Sequence, residues 1–177
     1  MEGERMGMTS AYAVSSPIGS LRAEFSDIGL RSLSLVKRSD VYDHPLMEGP
    51  GSDDRLSALR TYINDYFYCR EAGRKDILMD MTGITAFRKR VYGELMKVPF
   101  GTVITYGDLA TRAGYPGGAR AVGNAMNSNP FLIVVPCHRV VASGRRGKNR
   151  LGGFGAGLEV KRFLLRLEGH DKGIIGL

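Results

Sequence analysis

The chain is short of the residues that cross-link proteins or hold metals. Its 177 residues include two cysteines, Cys69 and Cys137, and three histidines, His44, His138 and His170. None stand at the close spacing of a zinc site, so no metal is expected. Long apolar runs are missing too. The clearest, Phe131 to Val135, falls far short of the ~18 residues that span a bilayer, so no membrane association is expected. The opening Met1-Glu2-Gly3-Glu4-Arg5 carries two acids and no apolar stretch behind it. It is not expected to be a secretory signal, and the default is then a reducing, cytoplasmic setting with free thiols. Acidic residues are scarce in one half only. Residues 1–84 hold 10 Lys/Arg against 13 Asp/Glu, a net of −3, and residues 85–177 hold 15 against 5, a net of +10, giving +7 in all. This asymmetry suggests a polyanionic partner for the second half, most commonly nucleic acid. A solvated basic face is the other reading.

The chain is long enough for one ordinary domain or two small ones, and its 43% hydrophobic content is that of a globular protein. Ala11 to Ser15, Leu21 to Phe25 and Leu30 to Val36 read as strands joined by the turns Pro17-Ile18-Gly19 and Ser26-Asp27-Ile28-Gly29. Residues 39–54, rich in Asp, Pro and Gly, read as loop. From Asp54, Leu56, Leu59, Ile63 and Phe67 follow helical spacing, with Cys69 at the end in a packing or surface role. Residues 71–84 form a connector with one short strand, Ile77 to Met79. The charge balance changes sign just beyond it, which places a domain boundary near residue 80, between 1–80 and 81–177.

In the second half, Thr85 caps a helix with Phe87, Val91 and Leu95 on its core face, ended by Pro99 and Gly101. Thr105 caps a short helix through Tyr106-Gly107-Asp108-Leu109-Ala110, and Gly114-Tyr115-Pro116-Gly117-Gly118 must turn. A further helix runs from about Ala119 to Ser128, and such a pair suggests helix-turn-helix. In that second helix Ala121, Val122, Ala125 and Met126 form an apolar stripe. Arg120, Gly123, Asn124 and Asn127 form another face with one long cation and otherwise short side chains. This face suits either a groove entered by one inserting residue or tight packing on a neighbouring helix. Arg139, Arg145, Arg146, Lys148 and Arg150 follow with no acid among them, as in a flexible loop placed for phosphate contacts. Gly152-Gly153-Phe154-Gly155-Ala156-Gly157 is a backbone able to approach a flat ligand. The last helix, about Gly157 to Glu168, has Val160, Phe163, Leu164 and Leu167 as its expected core face, with Gly169 ending it. Glu168 lies where a carboxylate opposes the helix dipole, a place from which it could orient a histidine.

Ile133-Val134-Val135-Pro136-Cys137-His138-Arg139-Val140 is the densest stretch. It reads as a buried strand stopped by proline, then a thiol whose His and Arg neighbours favour its nucleophilic thiolate form. The competing reading is a core cysteine behind a strand with a surface His-Arg pair.

These residues resemble the O6-alkylguanine-DNA alkyltransferases (methylated-DNA–protein-cysteine methyltransferases). The resemblance is carried by Pro136-Cys137-His138-Arg139-Val140 and Thr105-Tyr106-Gly107-Asp108-Leu109-Ala110. It is extended by Ala119-Arg120-Ala121-Val122-Gly123, Asn129-Pro130 and the ending Leu158 to Gly169. The first half matches loosely, through Ser16-Pro17-Ile18-Gly19-Ser20-Leu21. The fold so implied is a two-domain α/β (α+β) one: a ribonuclease-H-like N-terminal domain, then a mostly helical, winged helix-turn-helix-like domain.

By the same resemblance, Cys137 takes the alkyl group from O6 of guanine in one irreversible turnover. His138 acts through a water as base, oriented by Glu168, and Asn129 braces the turn. Tyr106 helps rotate the nucleotide and stabilises the leaving guanine, and Arg120 fills the gap in the duplex. Thr105, Ala119, Gly123 and Asn124 join Tyr106 and Arg120 on the DNA side. Pro136, Val140, Phe154, Gly155, Ala156 and Leu158 wall the substrate pocket. No cofactor is implied. The partner is double-stranded DNA containing O6-alkylguanine, with O4-alkylthymine a second expected substrate. The protein is expected to be a monomer, with cooperative binding on DNA left open, and to work at the nucleoid, or in the nucleus of a eukaryote. The family's pocket loop usually reads Gly-Tyr-(Ala/Ser)-Gly-Gly-Leu. Here Phe154 and Ala156 depart from it, which bears on pocket size and inhibitor sensitivity. The alternatives are a non-catalytic, lesion-binding relative and a cysteine hydrolase. Sequence neighbours such as Cys137 and His138 rarely face each other as a hydrolase requires.

Overall fold

The computed structural model describes residues 10–36, 53–70, 76–144, 149–170 and 174–175. The chain divides between Thr82 and Gly83 into two compact units. In the first, β1 (Ser10–Val14), β2 (Leu21–Phe25) and β3 (Leu30–Leu35) form an antiparallel sheet in that order. Leu21, Ala23 and Phe25 are buried along β2 while Arg22 and Glu24 pair on the other face at 2.8 Å. This is the alternation that a sheet with one covered face requires. The expected strand at 77–79 is reduced to a single parallel bridge, Leu30 to Met79. It depends on Gly29, where a Cβ would stand 2.3 Å from the Leu78 carbonyl oxygen. Beside it, Asp80 is buried and accepts hydrogen bonds from Thr82 N and Ser26 Oγ, which hold its carboxyl down at about 2.

Helix α1 (Asp54–Phe67) is capped by the Asp53 carboxylate, which accepts from Arg55 N at 2.9 Å. It buries Leu56, Leu59, Tyr62, Ile63 and Tyr66, so Phe67 sits at the edge of the core face and not within it. Arg55 fixes the helix to the sheet by donating to Ser26 O at 2.7 Å while lying over the Phe25 ring. Cys69, past the helix end, is exposed. The expected loop lies mostly outside the described residues, as does His44.

The second unit begins with α2 (Ala86–Met96), capped by Thr85, with Val91, Tyr92 and Leu95 buried. Phe87, expected in the core, is half-buried and meets Tyr115 edge to face at 4.8 Å. Strand β4 (Ile104–Thr105) leads into α3 (Tyr106–Arg112), which a turn through Gly114 and Gly117 connects to α4 (Ala119–Asn127). Tyr92 Oη donates to Ala125 O at 2.9 Å and ties α4 to α2. In α4, Val122, Ala125 and Met126 are buried, but Ala121, placed on the apolar stripe from sequence, is exposed.

Residues 131–135 are buried as expected but do not form a strand. They fold into a tight turn in which Val134 N donates to Leu132 O and Val135 N to Phe131 O. Ile133 takes φ 69°, a left-handed conformation costly for a β-branched side chain. Proline 136 then leads into a one-turn 3-10 helix, Cys137–Arg139, and strand β5 (Val140–Val141). β5 pairs in parallel with β4, Ile104 with Val140 and Thr105 with Val141. A second parallel pair joins β6 (Asn149–Arg150) to β7 (Ile174–Ile175). The final helix, α5 (Leu158–Leu167), buries Lys161, Leu164 and Leu165, and Phe163, expected in the core, is 42% exposed. The buried face is therefore rotated from the expected one. Glu168 continues it, at i+7 from Lys161, and is buried with it.

Candidate functional site

Asn129 builds the turn that carries Cys137. Its Oδ1 accepts from Phe131 N at 3.0 Å, while its Nδ2 donates to Val135 O at 2.9 Å and to the Cys137 Sγ at 3.1 Å. One amide side chain thus closes a turn that leaves Ile133 strained, and aims a hydrogen bond at the thiol. Cys137 itself is 6% exposed. Burial pushes its thiol up from the ordinary value, and the Asn129 hydrogen bond, the Lys161 charge and backbone N–H groups at Cys137 and His138 pull the other way.

His138 and Arg139 are not the surface pair that the competing sequence reading supposed, although the cysteine is in the interior as that reading had it. All three are buried. His138 Nε2 lies 2.7 Å from Glu168 Oε1, and Arg139 grips the same carboxylate through Nε at 2.9 Å and Nη2 at 2.9 Å. Arg139 also donates to Val98 O at 2.7 Å, and Gly101 N donates to Glu168 Oε2 at 3.1 Å. Burial opposes ionisation of Glu168, but His138 and Arg139 outweigh it and hold the carboxyl down at about 2. Burial lowers the His138 imidazole, with Glu168 pulling it back. An ionised Glu168 requires a proton on Nε2, which leaves Nδ1 as the basic nitrogen of a neutral ring. Arg139, grouped from sequence with the basic loop, is instead the anchor of this carboxylate. Of that loop, Arg145, Arg146 and Lys148 lie outside the described residues, while Arg150 is exposed.

The loop after β6 packs against Tyr106. Gly152 takes φ 68°, and a Cβ there would stand 3.1 Å from the Tyr106 Cε2 and Oη atoms, so a side chain at this position would be strained and would crowd the phenol. Tyr106 Oη donates to Gly153 O at 3.3 Å. Burial raises the Tyr106 phenol, and a charge on Cys137 raises it further, so it stays protonated and able to donate. Pro136 and Val140 are buried, Phe154 and Ala156 half-buried, and Gly155 and Leu158 exposed. Thr105 Oγ1 is committed to capping α3, accepting from Asp108 N at 3.1 Å and donating to Asp108 Oδ2 at 2.7 Å. On α4, Arg120 and Asn124 are exposed and Ala119 and Gly123 half-buried.

Sequence reasoning missed Lys161. It is fully buried, and its Nζ donates to Val140 O at 2.6 Å and to Gly153 O at 3.2 Å. The signal that could have found it is the spacing of Lys161, Leu164, Leu165 and Glu168 at i, i+3, i+4 and i+7, one face of a helix.

Asn129→Ala is expected to lower stability by about 1–3 kcal/mol, because Phe131 N and Val135 O lose their partner in a buried turn. Thermal unfolding of the variant measures this, and the reactivity of Cys137 is expected to fall with it. An unchanged melting temperature would mean the turn holds without the amide.

Residues 86–170 match the family model described as 6-O-methylguanine DNA methyltransferase, DNA binding domain. A methylated-DNA–protein-cysteine methyltransferase of Methanosarcina acetivorans is 36% identical, the alignment covering 89% of this chain and 97% of that protein. One from Mycolicibacterium paratuberculosis is 39% identical over 91% of this chain and 93% of its own length. Among solved structures, Mycobacterium tuberculosis OGT in complex with DNA is similar, with a TM-score of 0.73 and 34% identity, covering 90% of this chain and 92% of that one. Similarity at this level extends along both units and is not confined to the motifs around Cys137. The chain belongs to the methylated-DNA–protein-cysteine methyltransferase family.

Proposed function

We propose that this protein repairs alkylated DNA by direct reversal, moving the alkyl group from O6 of guanine onto the Cys137 sulfur. The observation that carries this is the thiol held by Asn129 at 3.1 Å, next to a histidine locked at 2.7 Å on an ionised, buried Glu168. His138, through a bridging water, takes the thiol proton. The thiolate attacks the alkyl carbon, an S–C bond forms, and the C–O bond breaks. The guanine leaves as an anion, which the Tyr106 hydroxyl stabilises by hydrogen bonding. The thiol is not regenerated from the thioether, so each molecule acts once. Val140 and the loop through Phe154, Gly155, Ala156 and Leu158 wall the base pocket, with Pro136 fixing the approach to the thiol.

Reaching O6 requires turning the nucleotide out of the duplex, which costs a few kcal/mol. The face of α4 supports this reading: Arg120 is long and exposed, and Ala119, Gly123 and Asn124 let the helix lie close to a groove. Thr105, as the cap of α3, sets the helix that carries Tyr106. The net charge of +10 in residues 85–177 supplies the phosphate attraction. We read residues 1–80 as the ribonuclease-H-like domain and 81–177 as the acceptor domain. Among the described residues no helix is long and apolar enough to cross a membrane. We place the protein in the cytoplasm, at the nucleoid.

The test is the intact mass of the protein after mixing with a duplex carrying one O6-methylguanine. A gain of one methylene, localised to the Cys137 peptide, is expected. Tight binding without a mass change would favour the lesion-marking alternative, and no binding at all would return the chain to the hydrolase reading. Arg120→Ala is expected to slow repair about tenfold in duplex DNA and far less in single strands, where no stack has to be refilled. Single-turnover kinetics on the two substrates check this. Equal losses would remove the inserting role.

A further inference from the structure

We propose that Lys161 is a positioning residue of the transfer reaction: its buried ammonium stabilises the Cys137 thiolate and clamps the acceptor segment to the pocket loop. The proposal rests on the alkyl-transfer reading above and extends it to a group that reading leaves without a role.

Lysine is almost never fully buried without a strong reason. Here the side chain is completely inaccessible, and its ammonium is spent on two backbone carbonyls from different segments. Val140 lies three residues after the acceptor, and Gly153 opens the loop that faces it. The Gly153 carbonyl also accepts from Tyr106, so the cation, the phenol and the loop meet at one oxygen. The Nζ further lies 5.9 Å from the centroid of the Phe154 ring, the residue that departs from the family's usual tyrosine. Two neutral carbonyls could be satisfied by an uncharged donor, so the hydrogen bonds alone do not account for a full positive charge in a dry site.

The charge finds its use at Cys137. Lys161 is the cation among the groups that favour the thiolate, alongside the neutral Asn129 amide and backbone N–H groups. The influence is mutual: burial brings the ammonium down to about 8, and a charged Cys137 pulls it back up. The other charged groups packed around this centre belong to the His138–Arg139–Glu168 cluster. Arg139 and Glu168 there neutralise each other at 2.9 Å. No proton passes through Lys161. It stays protonated before and after the methyl group moves.

Lys161→Met keeps the volume of the side chain and removes its charge, and Lys161→Arg keeps a charge. In a Cys69→Ser background, the titration of the isotope-labelled Cys137 Cβ resonance reports the thiol, and single-turnover methyl transfer reports the reaction. Lys161→Met is expected to raise the thiol titration by about one unit and slow transfer at neutral pH about tenfold, with DNA affinity unchanged. Lys161→Arg is expected to restore much of both. An unshifted titration with an unchanged rate in a folded Lys161→Met protein overturns the proposal. If that variant does not fold, the protein with Lys161 intact decides. Two mutually interacting groups titrate in two steps, so the Cys137 curve should depart from a one-proton curve near the Lys161 transition, and a simple one-proton curve overturns the proposal. Failure of the protein with Lys161 intact to accept a methyl group would strike the alkyl-transfer reading instead, whatever the titration shows.

Discussion

Cys137→Ser is expected to abolish methyl transfer while leaving a protein that folds and binds alkylated DNA. The substitution replaces sulfur by oxygen with almost no change in shape, and the Asn129 Nδ2 that donates to Sγ at 3.1 Å can donate equally to a hydroxyl. What is lost is the nucleophile. A buried hydroxyl cannot ionise near neutral pH, and His138 then has no thiol proton to remove. Transfer should drop roughly a thousandfold or more, below detection in a single-turnover assay. The intact mass should stay constant on incubation with methylated duplex, and the complex should persist. A mass gain in this variant would make Cys69, the exposed second thiol, the acceptor. A failure to bind DNA would mean that the thiol side chain holds the structure in a way its hydrogen bond does not reveal.

Glu168→Gln is expected to have the largest effect on stability. The carboxylate is shared by His138 at 2.7 Å, by two nitrogens of Arg139 at 2.9 Å and by Gly101 N at 3.1 Å. Neutralising it leaves the Arg139 guanidinium buried beside an amide, and breaking a buried pair in this way costs about 3–5 kcal/mol. The pH dependence follows the same balance. Glu168 titrates at about 2 when folded against 4.5 as an ordinary carboxyl, so the folded state binds its proton less readily than the unfolded chain does. Its contribution, about 3 kcal/mol, is fully present above pH 4.5 and is lost as pH falls from there toward 2. His138 acts in the same direction. Its folded value lies below the ordinary 6.5, so the unfolded chain gains a proton first as the solution turns acid. Thermal unfolding across pH should therefore show stability falling below 6.5 and more steeply below 4.5. In Glu168→Gln the fall should become shallower and begin nearer 3.8, where Asp80, also held at about 2, starts to contribute. A variant with the same acid limb would show that another carboxyl governs it.

How much of this was legible in the sequence depended on whether a residue's role shows in its neighbours along the chain. The helices around Val91 and Val122 were legible because apolar residues recur at helical spacing, and the one around Leu109 through its Thr105 cap and the turn that follows it. The thiol and the imidazole stood out in the Pro136-Cys137-His138 run, and their link to the distant Glu168 was legible through the resemblance to the family. The turn at 131–135 was not. A run of five apolar residues has no periodicity, and a buried strand and a buried turn look alike until a side chain such as Asn129 is seen closing the turn. Arg139 was misread because it stands shortly before a run of cations in the sequence, and nothing local distinguishes the one paired with Glu168. Lys161 was missed for the converse reason: a charge inside a helix does not mark a core face, and the apolar face was drawn through Val160, Phe163, Leu164 and Leu167 instead.

The two-residue ladder between β4 and β5 has a consequence for exchanging parts between relatives. Ile104 and Thr105 lead directly into α3, Val140 and Val141 leave the acceptor turn, and the two pairs are hydrogen-bonded to each other. The element that precedes α3 and α4 and the element that leaves the Cys137 turn are thus one splice. A chimera that imports α3 and α4 from another family member must therefore import residues 140–141 as well, or rebuild the joint. The start of α3 and the end of the Cys137 turn are held here as a single joint, although 34 residues separate Thr105 from Val140 in the chain.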